Sequence, residues 1–394
     1  MRIGIDARFY GPIGKGLGRY TQEVVDNIIK INSAAGQPAF DYVVFLGPDN
    51  FDEFGVDDPH VEKVLIDCPW YGWKEQIFFP YHIWRAKLDL IHFPHFNVPI
   101  LTPVRFIVTI HDLILTHFPT VRATTKSHVL YYFKNFAYRF VILSALKRSR
   151  RIITVSEFTK SDIIKKFRIA PDKITVTYEG VANLAKGRDS LFVAKLDNQE
   201  ILAQYHIPHD FLLYVGNAYP HKNLETLLKV FSKLHAEKPE RRLVLVGKAD
   251  YFYERVQAVA RALNLWQKGN ANSAVIFPGY VPDAQLEILY SEARAYVFPS
   301  LYEGFGLPPL EAMAKGCPVV SSDRASLPEI LSDAAVYFNP EDEADMIAKI
   351  RSVLVDDNKR AELISRGLVQ ARKYNWWECA NKTMVAYQEI LTQL

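Results

Sequence analysis

Short runs of β-branched and other apolar residues alternate with amphipathic stretches along the whole chain. Up to residue 200, the candidate strands are RIGIDA, DYVVFL, KVLID, DLIHF, RFIVTI, RIITVS and ITVTYE. Beyond it they are FLLYVG, RLVLVG, AVIFPG, RAYVFP and CPVVSS, with AAVYF as a shorter candidate. Helical periodicity fills the intervals, as in LGRYTQEVVDNIIK, SHVLYYFKNFAYRFVILSALK and NLETLLKVFSKLH. This alternation predicts an α/β protein with open parallel sheets.

The same pattern, together with the length, predicts two domains. A chain of 394 residues exceeds what one hydrophobic core normally serves. Residues 183–210 are polar and poor in strands, so we place the boundary near residue 200. This gives Rossmann-like domains at residues 1–200 and 201–375, and the aromatic last helix, 376–394, is predicted to pack back on the first domain. Because open parallel sheets bind ligands at the carboxyl ends of their strands, we expect the two domains to face each other across a ligand-binding cleft.

Composition excludes several classes of protein. With 49% hydrophobic and 23% charged residues, the chain has the composition of a folded globular protein. Its N-terminus enters a strand at once and no apolar stretch is long enough to cross about 30 Å of hydrocarbon, so neither a secretion signal nor a membrane span is predicted. Cys68, Cys317 and Cys379 are far apart in the sequence and predict neither a disulfide framework nor a zinc site. We therefore expect a cytoplasmic protein.

Positive charge is concentrated in residues 102–178, although the net charge is only +3. The acids of this basic segment are Asp112, Glu157, Asp162 and Asp172. Its bases are Arg105, Arg122, Lys126, Lys134, Arg139, Lys147, Arg148, Arg150, Arg151, Lys160, Lys165, Lys166, Arg168 and Lys173. The segment is either an ordinary solvated face or a contact for a phosphate-bearing acceptor or the inner face of an anionic membrane, where each base adds roughly 1 kcal/mol. Nucleic acid is not an expected partner, because no nucleic-acid-binding signature accompanies the charge.

The loop after the first strand, RFYGPIGKGLGRY, is rich in glycine and leads into a helix. Glycines such as Gly14 and Gly16 let backbone N–H groups approach a phosphate, which the helix dipole also attracts. The loop is not a dinucleotide fingerprint, because G-x-G-x-x-G from Gly14 would need glycine in place of Arg19, and it lacks the G-K-[ST] of a P-loop. A tight turn without a ligand is an equally good interpretation.

Two polar residues, His111 and Asp112, directly follow the strand RFIVTI. A histidine at the carboxyl end of a strand can hydrogen-bond a sugar hydroxyl or assist proton movement. The alternative is a buried structural histidine whose ring nitrogens are satisfied within the protein.

The stretch FLLYVGNAYPHKNLETLLKV opens the second domain. Gly216 ends a strand, and His221 and Lys222 lie in the turn before a helix that Asn223 can cap. A lysine at a helix N-terminus adds a full positive charge to the partial charge of the dipole, which suits a diphosphate.

The stretch SLYEGFGLPPLEAMAKG places two glutamates after the strand RAYVFP. Glu303 lies on the loop, and Glu311 lies in a helix that starts at the proline pair and ends at Gly316. Each carboxylate would reach a different part of one elongated ligand, while Gly304 and Gly306 leave backbone N–H groups accessible to phosphate. Carboxylates that bind hydroxyls at both ends of a diphosphate predict a nucleotide sugar. Two solvated glutamates are the alternative.

These motifs resemble those of the retaining glycosyltransferases of the GT-B fold, and specifically their family-four group, which includes bacterial mannosyl- and glucosyltransferases of cell-surface polysaccharides. The E-x7-E motif lies in YEGFGLPPLEAMAKGCPVV, and GPIGKGLGRY, VSEFTKSDI, YVGNAYPHKNLETL, FPGYVPDAQLEILY and LPEI support it over essentially the whole chain. The resemblance implies transfer of a hexose from a nucleotide diphosphate sugar to a hydroxyl of a glycan or lipid-linked acceptor, with retention of configuration. The HKN turn is similar to that of members using GDP-mannose, with UDP-glucose and UDP-N-acetylglucosamine as the next choices.

The resemblance also implies a role for each matching residue. Glu303 would contact the donor hexose, Glu311 the ribose, and His111 would sit over the hexose near the acceptor, so that His111, Glu303 and Lys222 are the implied catalytic residues. Further implied donor contacts are Gly14, Gly16, Gly216, Asn217, His221, Lys222, Tyr280, Val281, Gly304, Phe305, Gly306 and Leu307. Asp112 and Lys15 are acceptor-side candidates.

Two departures from the family pattern matter. Many relatives have arginine in the turn where this chain has Asn217 or His221, so the phosphate contact depends more on Lys222. Glu179 replaces the usual asparagine after the last strand of the first domain, which leaves its role open.

No metal or other cofactor is expected. D-x-D occurs nowhere in the chain, so Lys222, helix N-termini and bare N–H groups would take the place of a metal. The alternatives on the same architecture are a nucleotide-sugar epimerase, a sugar phosphorylase or a non-catalytic nucleotide-sugar-binding partner of another transferase.

Overall fold

The structure is a computed structural model that describes residues 1–12, 15–34, 36, 38–118, 128–181 and 197–392. The chain divides into two compact units. The first unit consists of Met1–Gly180 with Asn375–Leu394, and the second unit of Val181–Tyr374.

The first unit is built on a parallel sheet of seven strands in the order β3-β2-β1-β4-β5-β6-β7. Its strands are β1 (Arg2–Asp6), β2 (Asp41–Leu46), β3 (Val61–Leu65), β4 (Leu90–Phe93), β5 (Phe106–Ile110), β6 (Arg151–Thr154) and β7 (Ile174–Val176). Its helices are α1 (Lys15–Ala34), α2 (Trp73–Arg85), α3 (Ile114–His117), α4 (His128–Arg148), α5 (Glu157–Phe167) and the C-terminal helix (Trp376–Thr392). The central strands are buried along their whole length, as expected when helices cover both faces of a parallel sheet.

The second unit contains a parallel sheet of six strands in the order β10-β9-β8-β11-β12-β13. Its strands are β8 (Phe211–Val215), β9 (Arg242–Val246), β10 (Val275–Gly279), β11 (Ala295–Phe298), β12 (Val319–Ser322) and β13 (Ala335–Phe338). Its helices are α6 (Asn198–Gln204), α7 (Leu224–Glu237), α8 (Tyr251–Ala262), α9 (Asp283–Glu292), α10 (Leu307–Ala314), α11 (Leu327–Leu331), α12 (Glu343–Leu354) and α13 (Asp357–Ala371). All the strands that the sequence predicts in both halves are present, which confirms two open parallel-sheet α/β units.

The division between the units falls earlier in the chain than the boundary predicted at residues 200 and 201. Helix α6 belongs to the second unit because it packs on α9. Asn198 donates a hydrogen bond to Glu292 over 2.8 Å, and Tyr205, just after α6, donates to Gln285 over 2.5 Å. The strand-poor stretch thus contains a helix that is already part of the second unit.

The C-terminal helix, numbered α14 from here on, packs on α1 within the first unit. The hydroxyl of Tyr387 lies 2.7 Å from Nδ1 of His92 on β4, and Arg151 on β6 donates to Glu389 over 2.6 Å. Burial lowers the pKa of His92 to about 3, so its ring is neutral and the contact with Tyr387 is an uncharged hydrogen bond. The last helix is therefore fixed to the sheet by polar as well as apolar contacts.

One local prediction was wrong. Asn223 occupies the N-cap position of α7, but its backbone is left-handed with φ of 59° and its side chain makes no capping hydrogen bond. The side-chain amide instead donates to the carbonyl of Pro340 over 2.9 Å. Asparagine suits this position because it tolerates the left-handed conformation better than most residues.

Within the described residues, no helix is both long enough and apolar enough to cross a membrane. All three cysteines are buried free thiols.

Candidate active site

The candidate site of the second unit follows its two central strands. β8 and β11 are hydrogen-bonded neighbours, and the chain continues from β8 toward β9 and β10 but from β11 toward β12 and β13. The two loops that follow these strands therefore diverge at a topological switch point, where open α/β sheets bind ligands. The loop after β8 carries residues 216–222, and the loop after β11 carries residues 303–306.

An ion pair joins the two loops. Nζ of Lys222 donates to Oε1 of Glu303 over 2.5 Å, and the two side chains are only 11% and 10% exposed. The backbone N–H of Leu301 also donates to the carbonyl of His221 over 2.8 Å. The sequence predicts that Lys222 and Glu303 contact separate parts of a ligand, whereas in the structure the two side chains pair with each other.

His221 lies beside this pair and is itself buried. Burial, reinforced by the positive charge of Lys222, lowers the pKa of His221 to about 4. The ring is therefore neutral near pH 7. Any contact between His221 and a diphosphate would use an uncharged imidazole, so the formal positive charge of this turn resides on Lys222.

Gly216 and Asn217 shape the turn after β8. The N–H of Gly216 donates to the carbonyl of Val246 over 3.0 Å. The side-chain oxygen of Asn217 accepts a hydrogen bond from the N–H of Tyr219 over 3.3 Å. The backbone carbonyl of Asn217 accepts one from the Tyr214 hydroxyl over 2.7 Å. These contacts fix the backbone on which Lys222 is presented.

The loop after Glu303 is held by the first residues of a neighbouring helix. The hydroxyl of Ser326 lies 3.0 Å from the carbonyl of Glu303 and 3.1 Å from that of Phe305. Gly306 is the N-cap of α10 with φ of 98°, and a Cβ there would lie 2.8 Å from Leu327. Only glycine fits this position, which begins a helix at Leu307 whose first N–H groups have no partner within the helix.

Glu311 lies inside α10 and is buried. Its Oε2 accepts from the hydroxyl of Tyr290 on α9 over 3.3 Å. Tyr280 and Val281 were both expected to border the base, but they differ in exposure. Tyr280 is 72% exposed and Val281 is buried. Of these two residues, Tyr280 has the exposed ring that a base could stack on.

The first unit brings His111 together with Glu179. Nδ1 of His111 lies 3.1 Å from Oε1 of Glu179, and Nε2 lies 2.9 Å from the carbonyl of Pro94. Burial lowers the pKa of His111, but the hydrogen bond and negative charge of Glu179 outweigh it, so the net shift is upward. Both nitrogens face acceptors, which is the arrangement of a protonated imidazolium. The sequence left Glu179 without a role, and the structure makes it the partner of His111.

The remaining first-unit candidates have mixed outcomes. Oδ1 of Asp112 accepts from the N–H of Ile114 over 2.9 Å, which organises the start of α3. Gly14 and the side chain of Lys15 lie outside the described residues. Gly16 lies in the first turn of α1 with open space where a Cβ would be.

Gly18, which the sequence analysis gave no role, is required by packing. A Cβ at Gly18 would lie 2.1 Å from the carbonyl of Gly11, so the loop after β1 closes directly on α1. This close approach supports the tight-turn interpretation for part of the glycine-rich loop, since it explains one glycine without any ligand.

No group of three or more His, Cys, Asp or Glu side chains is arranged to hold a metal in the part of the chain that the structure describes.

Comparison with known proteins adds to this geometry. Residues 197–369 match the family model described as glycosyl transferases group 1, and residues 41–182 match that of glycosyltransferase family 4. O-antigen chain mannosyltransferase B of Escherichia coli is 33% identical over 76% of this chain and 74% of its own length. O-antigen chain mannosyltransferase RfbU of Salmonella typhimurium is 30% identical over 70% of each chain. Sucrose-phosphate synthase from Thermosynechococcus elongatus has the same fold, with a TM-score of 0.74 over 100% of both chains at 20% identity.

Proposed function

Because the chain belongs to the glycosyl transferases group 1 family, we propose that it transfers mannose from GDP-mannose to a hydroxyl of a glycan or lipid-linked acceptor in the synthesis of a cell-surface polysaccharide. Family membership makes the protein a hexosyltransferase of the GT-B fold class, as the E-x7-E motif predicted. Mannose is supported by the two relatives, both named as O-antigen mannosyltransferases. The single structural observation that carries the proposal is the buried Lys222–Glu303 ion pair at the switch point of the second unit.

In this proposal the donor diphosphate replaces Glu303 as the partner of Lys222. The ammonium group of Lys222 is already buried and paired with a carboxylate. Exchanging that carboxylate for a phosphate therefore requires no further desolvation of the ammonium group. The N-terminus of α10, with the N–H groups that follow Gly306, adds its partial positive charge at the same edge of the sheet. Glu303 is then released to accept hydrogen bonds from the hexose, and Glu311 those from the ribose.

The remaining donor contacts follow from the backbone of the two loops. Gly216, Asn217 and His221 border the diphosphate in the turn after β8. Gly304, Phe305 and Leu307 border the diphosphate on the other side, and Tyr280 with Val281 borders the base.

The proposed chemistry follows from the charges that develop. Breaking the bond between the sugar and the diphosphate builds negative charge on the leaving group and positive charge on the sugar ring. Lys222 and the helix N-terminus stabilise the leaving group, and Glu303 stabilises the ring. We assign a metal-independent transfer in which the acceptor hydroxyl attacks from the leaving-group side, its proton passes to an oxygen of the departing diphosphate, and the anomeric configuration is retained.

For the first unit we propose a charged hydrogen-bond donor rather than a base. His111 is held as an imidazolium by Glu179 and the carbonyl of Pro94, so it has no proton-accepting nitrogen while both contacts persist. To donate to a substrate hydroxyl or phosphate oxygen, Nε2 would exchange the neutral carbonyl of Pro94 for that group, while Nδ1 stays on Glu179. Asp112 and Lys15 remain acceptor-side proposals.

We also propose that the basic segment binds the protein to the cytoplasmic face of an anionic membrane. Part of its charge is used inside the first unit, because Arg151 pairs with Glu389 and Lys173 donates to the carbonyls of Leu146 and Lys147. Bases that remain exposed are Arg105, Arg139, Lys147, Arg148, Arg150, Lys165, Lys166 and Arg168. These exposed groups are the ones that would meet lipid phosphates.

A panel of donors tests the assignment. The thermal stability of the protein is compared in the presence of GDP-mannose, UDP-glucose or UDP-N-acetylglucosamine. The protein is then incubated with each donor and an acceptor extract, with and without EDTA, and the products are analysed by mass spectrometry and NMR. A donor at about a hundred times its dissociation constant should stabilise the protein by about 2.7 kcal/mol. We expect this from GDP-mannose, together with an EDTA-resistant α-mannosyl product. Stabilisation only by a UDP-sugar would overturn the donor, and donor isomerisation without transfer would favour an epimerase.

A further inference from the structure

Helix α2 of the first unit presents an exposed face of aromatic and aliphatic side chains. Trp73 is 67% exposed, Ile77 58%, Tyr81 52% and Trp84 66%. At about 100° per residue these four positions fall within an arc of about 80° on one side of the helix. The outward face of a helix on a globular protein is normally polar, so this face is poorly matched to water.

The helix cannot turn this face inward, because its other side is fixed. Phe79 and Ile83 are fully buried in the core of the first unit. Glu75 is completely buried, accepts from Arg8 over 2.6 Å and from Asn97 over 2.8 Å, and is held by the N–H of Tyr71 over 2.9 Å. The exposed aromatic face is thus the outer surface of a firmly seated helix.

The apolar face continues onto a neighbouring loop. The N–H of Ile100 donates to the side chain of Gln76 on α2 over 2.9 Å, and the guanidinium of Arg148 at the end of α4 donates to the carbonyls of Ile100 and Thr102. Leu101, between these two anchored residues, is 72% exposed. An apolar side chain therefore lies between the aromatic helix and the basic end of α4.

The exposed charges on residues 73–87 are positive. Lys74, Arg85 and Lys87 are all exposed. The only acid among residues 73–87 is Glu75, which is buried against Arg8. The surface thus consists of exposed rings and aliphatic side chains flanked by cations, with no exposed carboxylate in the same stretch.

We propose that this face docks into the headgroup region of an anionic bilayer, with Trp73, Ile77, Tyr81, Trp84 and Leu101 entering the interface. Tryptophan and tyrosine favour this region because one end of the ring system is apolar and the other is polar. An apolar helix face flanked by cations is the pattern of a helix that lies in the plane of a membrane surface. A second copy of the chain fits less well, because a two-fold contact through this helix would bring the cations of residues 73–87 close to their own copies.

These five side chains form the docking face, which would be the surface that contacts the membrane in the proposed function. The inference rests on the proposed function only in assuming that the acceptor is membrane-bound. The docking face does not overlap with the residues of the second unit assigned to the donor. Gln76 of α2 and Arg148 of the basic segment both hydrogen-bond the backbone of Ile100, so the apolar insertion and the wider positive charge would act on the same lipid surface.

Vesicle flotation tests the docking face. Wild-type protein is compared with the double variant Trp73→Gln/Trp84→Gln and with Lys74→Gln/Arg85→Gln/Lys87→Gln, using vesicles of phosphatidylglycerol and phosphatidylethanolamine or of phosphatidylcholine alone. We expect the wild type to float only with the anionic vesicles, and each variant to lose at least about tenfold in partitioning. The matched control is Trp377→Gln, since Trp377 is a 47% exposed tryptophan on another helix, and it should float like the wild type. Bromine-labelled acyl chains should quench tryptophan fluorescence more strongly in the wild type than in the double variant.

Equal flotation of the wild type and the tryptophan variant would overturn the proposal. So would self-association of the wild type that the same variant abolishes, because the face would then bind a second copy. Each variant is also tested for stabilisation by GDP-mannose. Normal flotation without any donor-dependent stabilisation would leave the docking face standing while the proposed donor fails.

Discussion

Nζ of Lys222 donates to Oε1 of Glu303 over 2.5 Å across the two loops that diverge at the switch point of the second unit. Both side chains are about nine-tenths buried, so each supplies most of the charge compensation that the other has. If the donor diphosphate replaces Glu303 as the partner of Lys222, as we propose, stability and activity should depend on the same two residues.

Lys222→Ala would leave the Glu303 carboxylate buried without its ammonium partner. We expect the free energy of unfolding to fall by about 3 kcal/mol, which urea denaturation would measure. Turnover should fall at least about a hundredfold, since one transition-state contact commonly contributes about 3 kcal/mol. Lys233→Ala is the matched control, because Lys233 pairs with Glu343 at the surface over 2.9 Å and should contribute less than about 1 kcal/mol.

The double variant Lys222→Ala/Glu303→Ala separates stability from catalysis. Removing both charges leaves no unpaired ion, so the double variant should be more stable than Lys222→Ala alone while remaining as inactive. A double variant that is no more stable than Lys222→Ala, or near-normal turnover in Lys222→Ala, would contradict the exchange site.

The His111–Glu179 pair should make stability depend on pH. The folded-state pKa of His111 is raised, so its contribution is fully present below about pH 6.5 and is lost as the pH rises through the folded-state value. Unfolding free energies of the wild type and Glu179→Gln, compared from about pH 5 to about pH 9, should differ most at the acidic end. A difference that grows toward alkaline pH would have the wrong sign for this pair.

Gly306→Ala tests the loop that starts α10. Its φ of 98° and the 2.8 Å approach of Leu327 to a Cβ should together lower the free energy of unfolding by about 1 to 3 kcal/mol. Gly269→Ala is the control, because its φ of 80° imposes strain without any atom near the Cβ. We expect donor affinity, measured by calorimetry, to weaken in Gly306→Ala and to be unchanged in Gly269→Ala.

Tyr387→Phe removes the hydroxyl that meets His92. Because His92 is fully buried, its Nδ1 would be left without this partner, and we expect a loss of about 1 to 3 kcal/mol in thermal or urea unfolding. Tyr251→Phe, at a 49% exposed tyrosine, should change stability by no more than about 0.5 kcal/mol. Equal stability of the two variants would show that the hydroxyl is not needed to hold α14.

The strands were predictable because a strand of a parallel sheet that helices cover on both faces appears in the sequence as a continuous apolar run. Helix α2 was not predicted, and its sequence WKEQIFFPYHIWR shows why. Apolar residues occupy the outer as well as the core side, and Pro80 stands inside the helix, so the usual 3.6-residue pattern is obscured. The exposed aromatic face that obscures the helical pattern in the sequence is the same face that we propose to dock into the membrane.

The sequence singled out Lys222, Glu303 and His111 as candidate site residues, but it did not predict which side chains they pair with. Glu303 and Lys222 are 81 positions apart, and Glu179 and His111 are 68 apart. Each pair forms because the strands before its two residues end at the same edge of one sheet, as β8 and β11 do. Strand order, which a single sequence does not state, decides these contacts.

The position of α14 has a consequence for how the protein is made. Residues 375–394 belong to the same unit as residues 1–180, although a whole second unit is synthesised between them. A ribosome delivers the N-terminal part first, and domains generally fold as they emerge. The second unit can therefore complete its core during translation, while the α14-binding surface of the first unit stays uncovered until α14 has left the exit tunnel.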